Sequence, residues 1–257
     1  MNTAMSKKSI FILVAVALQS LLIQGQASTN APSSSVELDS AAAVLSACTR
    51  MLPAESLVVD GEIRVRKPRG MVLEQFPYRL MIDWGSVKPS AEIHILSQDG
   101  SKTEERATLV RKPDGTSEIK YCRNIADGKI ETPHPAARVR GTDLTWLDLS
   151  LDFLWWKSVR FDDTPRGESR NGRDCDIILA APPAPIPGCS AMRIWIDRKL
   201  RCFLQAEQLG PQGDVVRRFW VQRVKKFNDR WMIKDMQVET VNSGHRTQLL
   251  VNDAVAP

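Results

Sequence analysis

The sequence has few of the residues on which common catalytic and metal sites depend. Only three histidines occur, His94, His134 and His245, and none belongs to a His-x-x-His or His-Glu-x-x-His motif. The five cysteines include no Cys-x-x-Cys pair, so a structural zinc site is not expected. Gly-x-Ser-x-Gly, Walker and Gly-x-Gly-x-x-Gly motifs are also missing, which leaves serine hydrolysis and nucleotide binding without support. We therefore predict that the protein is not an enzyme and uses no catalytic residue, metal or cofactor.

The net charge of the chain is also small. The 257 residues carry a formal net charge of +5, with 43% hydrophobic and 25% charged residues. This ordinary globular composition excludes a disordered tail, a collagen and a multi-span membrane protein. The charge is too small to indicate nucleic-acid binding.

Charged clusters do occur locally. The pairs Asp162–Asp163 and Asp174 with Asp176 are interpreted as solvated turn or strand-edge residues rather than acid–base catalysts. A basic cluster is interpreted as a solvated face, and contact with anionic lipid headgroups is the alternative. Its members are Arg217, Arg218, Arg223, Lys225 and Lys226.

The single long apolar run covers residues 10–23 and predicts an export signal. Lys7 and Lys8 precede it, and small residues at 25 and 27 predict cleavage after Ala27. The run has about 14 residues, whereas a membrane-spanning helix needs about 20, so an uncleaved anchor is the less favoured interpretation. Residues 1–27 are thus predicted to be a signal peptide, followed by a polar, flexible linker at 28–35.

The cysteines of an exported chain raise two further questions. Leu45 to Cys48 has the form of a bacterial lipobox, but about 24 residues separate it from the apolar run, so we favour a helix there. Among the later cysteines, Cys175 and Cys202 are the preferred pair for a disulfide. We favour the alternative that these cysteines are small apolar strand residues without a disulfide.

Periodicity predicts one helix followed by many strands. Apolar residues recur at helical spacing within 39–52, and Pro53 ends the pattern. Asp-Gly pairs at 99–100, 114–115 and 127–128 indicate tight turns of an antiparallel meander, since glycine accepts positive φ. The predicted strands cover 57–59, 63–66, 78–84, 92–96, 106–111, 118–122, 175–180, 192–197, 202–208, 215–225, 231–240 and 245–251.

The segment 141–157 is ambiguous between helix and strand. Thr145 followed by Asp148 resembles a helix capping box, but apolar and polar residues alternate from 147 to 153. We predict a short helical turn and then a strand from about Leu151. The order of elements predicts an α+β fold, a strongly curved antiparallel sheet with an N-terminal helix and a short lid helix on its concave side.

Tryptophan is as frequent as phenylalanine, with seven tryptophans against two tyrosines. Core packing is the simpler interpretation. The alternative is an apolar cavity inside the curved sheet, which favours an elongated apolar ligand because each buried CH₂ contributes about 0.8 kcal/mol.

Two segments in the second half of the chain read GTDLTWLDL at 141–149 and NGRDCDIIL at 171–179. The first resembles the glycine–hydroxyl–aspartate–apolar element of LolA-like outer-membrane lipoprotein-sorting proteins, and the second resembles the strand after it in that family. Residues 193–197, RIWID, are similar to its next strand. Its closing strands resemble DRWMIKD at 229–235 and SGHRTQL at 243–249.

The resemblance implies a periplasmic, incomplete β-barrel with helices as a lid over an apolar cavity. The implied domain covers 36–252, with a tail at 253–257. The implied function is a non-enzymatic carrier of lipid or lipoprotein acyl chains in outer-membrane lipoprotein sorting. Its partners would include a membrane-anchored protein and, transiently, the membrane. A lid around 142–156 would open. The expected lining residues are Trp146, Leu149, Phe153, Trp195, Phe203 and Trp231. An envelope-stress sensor or regulatory interaction module on the same fold is the alternative.

Overall fold

A computed structural model describes residues 40–67, 69–163, 169–227 and 230–257 of the chain. The predicted signal peptide at 1–27 and linker at 28–35 lie outside the described residues. All described residues lie in one compact unit, and the boundaries at 36 and 252 stay predictions. No helix in this described part has the length and apolar character needed to cross a bilayer.

The described residues form a single antiparallel sheet of thirteen strands with a few short helical segments. The strands are β1 (Leu57–Arg66), β2 (Val72–Asp83), β3 (Ser90–Leu96), β4 (Thr103–Arg111), β5 (Ser117–Cys122), β6 (Ser158–Phe161), β7 (Ser169–Arg170), β8 (Arg173–Ala181), β9 (Ala191–Asp197), β10 (Phe203–Leu209), β11 (Val215–Phe227), β12 (Arg230–Thr240) and β13 (Arg246–Val255). The helices are α1 (Ala41–Arg50) and α2 (Trp146–Leu149), and 3₁₀ turns occur at Val139–Gly141 and Asp152–Trp155.

Sheet order follows the chain except where β1 pairs with β13. The order runs β5-β4-β3-β2-β1-β13-β12-β11-β10-β9-β8-β6, and β7 pairs with β8 at the side. Ile63 opposite Leu249 is one pair of the β1–β13 ladder, which joins the first and last strands. Buried and half-exposed residues alternate along β1, since one face of each strand packs inward. The predicted α+β class and curved antiparallel sheet are confirmed.

Glycine explains one error in the predicted strands. The sequence predicts separate strands at 57–59 and 63–66, but both belong to β1, which has a bulge between Asp60 and Gly61. A Cβ atom on Gly61 would lie 2.1 Å from the Leu250 carbonyl oxygen and 2.6 Å from the Tyr78 ring. Glycine is needed because the two strands approach so closely there, although its low strand propensity suggests a break.

The N-terminal helix is present, as predicted, and packs on the concave side. Ser40 caps α1, where its hydroxyl accepts a hydrogen bond of 3.1 Å from the Ala43 N–H. Val44 and Cys48 are fully or nearly fully buried, and α1 contacts β6, β8, β9 and the 3₁₀ turn at 152–155. Cys48 is therefore a buried helix residue, as favoured over the lipobox. All five cysteines are free thiols, so the Cys175–Cys202 bridge is not formed.

The segment after α2 differs from its prediction. A strand was expected from about Leu151, but Leu151 has φ +51° and leads into the 3₁₀ turn at 152–155. The next strand, β6, begins only at Ser158. The alternation in the sequence was misleading because Asp148 and Asp152, its polar members, are both buried and hydrogen-bonded rather than facing solvent.

Candidate functional site

Residues 142–156, here called the lid segment, cross the concave face of the sheet between β5 and β6. Its apolar side chains enter the central core. The Phe153 ring lies 5.6 Å from the Phe203 ring and 5.7 Å from the Phe219 ring. The Trp146 ring lies 5.2 Å from the Tyr121 ring. The lid segment therefore closes the interior with its own aromatic residues.

The predicted capping box starts α2 and is confirmed. The Thr145 hydroxyl accepts from the Asp148 N–H, and the Asp148 carboxylate accepts from the Thr145 N–H at 2.6 Å. Two backbone donors that a helix start leaves unpaired are thereby satisfied. The same carboxylate has a second role in holding the lid segment to the sheet.

Arg217 of β11 holds α2 to the sheet. Its Nη1 donates to Asp148 Oδ2 at 2.7 Å and its Nη2 to Asp148 Oδ1 at 3.1 Å. Nη1 also donates to the Asp143 carbonyl oxygen at 2.8 Å, and Nε donates to Gln208 at 2.8 Å. Arg217 is only 7% exposed, so this bidentate pair is shielded from water and from salt.

A second buried carboxylate holds the start of the lid segment. Asp143 is fully buried, and its Oδ2 accepts from the Thr247 hydroxyl at 2.9 Å and lies 3.0 Å from His245 Nδ1. Its Oδ1 accepts from the Thr240 N–H at 3.0 Å. Asp143 therefore joins the lid segment to β12, β13 and the turn between them.

A cavity of about 280 Å³ lies beside this anchor. It is at the end of the sheet where β8, β10 and β12 finish and β9 and β11 begin. Its lining includes both polar and apolar side chains, and these two sets are here called the polar wall and the apolar wall. The polar wall includes Thr145, Asp148, Asp152, Gln208 and Arg217, and the apolar wall Leu147, Phe153, Trp156, Ile186, Met192 and Val216.

Cys189 also lines this cavity and is half-buried. Burial raises the pKa of its thiol to about 11. The thiol is therefore neutral at physiological pH and lacks the thiolate character of a nucleophile.

The predicted lining residues are divided among three places. Phe153 lines the cavity, while Trp146, Leu149 and Phe203 are buried in the same core without touching the cavity. Trp195 lies in a separate cluster with Cys175 and Ile177, and the Arg170 guanidinium lies 4.9 Å above its ring. Trp231 belongs to β12, but its side chain lies outside the described residues.

Strand parity explains the position of Trp195. Ile194 and Ile196 are fully buried in the central core, and neighbouring residues of a strand point to opposite faces. The Ile-Trp-Ile sequence at 194–196 already indicated that Trp195 faces away from the two isoleucines. Sequence reasoning missed Trp156, Cys189 and Met192 as lining residues, because their contribution depends on how the loop before β9 folds over the lid segment.

The basic cluster is not one solvated face, which corrects the sequence interpretation. Arg217 points inward with Phe219, because these residues share a face of β11. Arg218 donates to Glu207 at 3.3 Å, and Arg223 to Asp235 at 3.0 Å. Lys225 and Lys226 are exposed. Their contact with lipid headgroups stays a prediction.

Asp162 and Asp176 of the acidic pairs have arginine partners, and Asp162 accepts a hydrogen bond of 2.8 Å from Arg193. Asp176 accepts hydrogen bonds of 2.9 Å from both Arg198 and Arg201, which makes it part of an ion-pair cluster. Within the described ranges, no three His, Cys, Asp or Glu side chains are placed to hold a metal ion.

A family model described as an uncharacterized protein matches residues 128–256, half of the chain. A DUF1329 family protein from Desulfovibrio piger has a TM-score of 0.67 at 15% identity, over 83% of this chain and 92% of that protein. A putative outer membrane lipoprotein-sorting protein domain from Vibrio parahaemolyticus has a TM-score of 0.66 at 14% identity, over 82% and 91%. A LolA superfamily protein from Nitrosomonas europaea has a TM-score of 0.67 at 12% identity, over 86% and 94%. No curated protein sequence matches the chain.

Proposed function

This chain belongs to the family whose model matches residues 128–256, and from that premise and its LolA-like fold we propose that it is a non-enzymatic periplasmic carrier for the acyl chains of a lipid or lipoprotein. The proposal rests on one observation above all. A cavity with an apolar wall lies beneath a segment that is held to the sheet by a small number of polar contacts.

The apolar wall supplies the driving force for binding. Phe153, Trp156 and Met192 offer aromatic and thioether surface to a hydrocarbon chain. Each methylene group removed from water contributes about 0.8 kcal/mol, with no cofactor and no covalent step. The aromatic lining also suits a chain whose length varies, since the attraction depends on area rather than on direction.

The volume of the cavity indicates that the lid segment has to move. About 280 Å³ is at the lower end of the roughly 300–1,000 Å³ of ligand pockets, so it accepts part of a long chain. Displacement of Trp146, Leu149 and Phe153 from the core would extend this space along the concave face. In this mechanism the lid's aromatic residues fill the interior until an acyl chain replaces them.

Loading and release require an acceptor with greater affinity for the chain. A membrane-anchored partner or the membrane surface would serve, and the exposed Lys225 and Lys226 are positioned to meet anionic headgroups. Outer-membrane lipoprotein sorting is the process that this cycle would serve.

The test is binding of a dansyl-labelled eleven-carbon fatty acid to the purified protein. Ala136 lines the cavity and is half-buried, so Ala136→Trp would fill the cavity without removing a core side chain. We expect at least a tenfold weaker affinity for this variant. Ala126 is exposed and does not line the cavity, so Ala126→Trp is the matched control and should bind normally.

Mass spectrometry of lipid extracted from the protein gives an independent result. Co-purified acyl lipid that is lost in Ala136→Trp supports carriage. A protein that binds no probe and holds no lipid would contradict it. The sensor or regulatory role would then be the better hypothesis.

A further inference from the structure

Three buried N–H donors lack an acceptor, and they belong to neighbouring side chains. Among the described side chains these are Trp84 Nε1, Arg111 Nε and Trp155 Nε1. Buried donors are paired in most proteins because an unpaired one loses its bond to water without replacement. Three in one place need an explanation, and we call these residues the donor cluster.

The donor cluster bridges the sheet and the lid segment. The Arg111 guanidinium lies 4.2 Å above the Trp155 ring, and the Trp84 and Trp155 ring centroids are 6.4 Å apart. Trp84 follows β2, Arg111 ends β4, and Trp155 belongs to the 3₁₀ turn of the lid segment. The Arg111 side chain is 9% exposed. The three side chains therefore lie together where the lid segment packs against the sheet.

The space at the cluster is bordered mostly by the sheet and at Ser150 by the lid segment. A gap between Trp84 and Arg111, also bordered by Ser90 and Ser150, is too small for a water molecule in this closed arrangement. Displacement of the turn that carries Trp155 would enlarge it. The closed arrangement thus leaves the donors unpaired, whereas a bound ligand could supply their acceptor.

The charge of the cluster selects the kind of acceptor. Arg111 Nη2 lies 3.6 Å from Asp152 Oδ1, and both side chains are at least nine-tenths buried. Burial lowers the pKa of Arg111 to about 10, so it stays protonated at neutral pH and the pair is neutral overall. An anionic ligand would add an uncompensated buried charge, whereas an uncharged carbonyl oxygen would pair the donors at no such cost.

We propose that the donor cluster binds the carbonyl oxygen of an ester- or amide-linked acyl chain. Asp152 connects the two places, since it lines the cavity and pairs with Arg111. The carbonyl would occupy the cluster while the hydrocarbon occupies the cavity and core. This inference rests on the proposed carrier function and names the group that the carrier recognises.

The experiment compares two lipids that differ only in that carbonyl. The probes are 1-palmitoyl-lysophosphatidylcholine and its 1-O-hexadecyl ether analogue, each titrated below its micelle concentration by displacement of the dansyl fatty acid. We expect the wild-type protein to bind the ester about tenfold more tightly, the effect of one or two additional hydrogen bonds.

The variants Trp155→Phe and Trp84→Phe keep an aromatic ring but remove the donor. Each should reduce the preference for the ester at least threefold while the ether binds within a factor of two of wild type. Trp220→Phe is the control, because Trp220 lies on the outer face against Arg246 and should leave the ratio unchanged. Circular dichroism establishes that each variant is folded.

The outcomes separate this inference from the proposed function. Binding of both lipids with equal affinity, or a preference that persists in both tryptophan variants, would overturn carbonyl recognition and leave the carrier function standing. Failure of both lysolipids to displace a bound dansyl fatty acid would also overturn carbonyl recognition, whereas failure of the dansyl fatty acid itself to bind would overturn the carrier function. Tighter binding of palmitate than of either lysolipid, lost in Arg111→Met, would make the cluster an anion site and contradict the inference.

Discussion

At the scale of single residues, the lid segment is held by charges that are largely shielded from bulk water. Asp148 and Arg217 form a bidentate pair beside the cavity, and both are less than a tenth exposed. Removing one member of a buried pair leaves the other charge unpaired, which costs far more than the pair contributes. A substitution that removes the charge of Asp148 but keeps its shape should therefore weaken the attachment of the lid segment.

We expect Asp148→Asn to lower the free energy of unfolding by about 3–5 kcal/mol, because the Arg217 guanidinium stays buried without its counter-ion. Urea unfolding followed by circular dichroism measures this. Glu118→Gln is the control, since Glu118 lies 3.6 Å from Lys112 in an exposed pair and should change stability by less than about 0.5 kcal/mol. Equal effects of the two substitutions would contradict the anchoring role of Asp148.

At the scale of elements, α2 is a single turn of four residues whose start depends on its cap. So short a helix is not stable by itself, and its position comes from the capping box, the Arg217 pair and apolar packing. The neighbouring 3₁₀ turn is tied to β5, where Ser117 donates to Asp152. The position of the lid segment thus depends on these polar contacts together with the burial of its apolar side chains in the core.

Thr145→Ala removes the side chain that caps α2, and we expect a loss of about 1 kcal/mol confined to the lid segment. Amide hydrogen exchange followed by mass spectrometry should become faster across 146–151, while the ladder of β1 with β13 keeps its protection.

The comparable cap of α1 provides the control. Ser40→Ala should accelerate exchange in α1 and leave α2 unchanged. Faster exchange throughout the sheet in Thr145→Ala would show that the lid segment does not open as a separate unit.

At the scale of the whole molecule, the fold contains buried thiols that ionise less readily than in the unfolded chain. Burial raises the pKa of Cys48 from its ordinary 9.0 to about 12 and that of Cys175 to about 11. Such groups contribute stability below the unfolded pKa, and this contribution is lost as the pH rises toward the folded pKa. The fold is therefore expected to weaken in mildly alkaline solution.

We expect each of these two thiols to lower the free energy of unfolding by about 1 kcal/mol between pH 9 and pH 10, since only the unfolded chain ionises there. Urea titrations under reducing conditions at both pH values measure this. The double variant Cys48→Ala, Cys175→Ala should lose about 2 kcal/mol less over the same interval. The same loss in wild type and variant would refute the assignment to the thiols.

Local sequence patterns were enough for much of the architecture. Three of these patterns depend only on neighbouring residues and can therefore be recognised in a single sequence. They are the alternation in β3 and β9, Asp-Gly turns such as Asp99-Gly100, and the helical spacing in α1. Local patterns gave wrong predictions at β1 and after α2, where contacts between distant residues decide the structure. The close approach of Gly61 to Leu250 and the burial of Asp152 involve residues far apart in the sequence.

The sequence by itself determined the sheet, the first helix, the capped turn at Thr145 and the LolA-like resemblance. Only the tertiary structure decided that Arg217 is an internal anchor, that Trp195 faces away from the core, and that Trp84, Arg111 and Trp155 meet at one place. Propensity and alternation act over a few residues, whereas a charge pair, a cavity or a set of unpaired donors exists only where the fold brings together residues that are distant in the sequence.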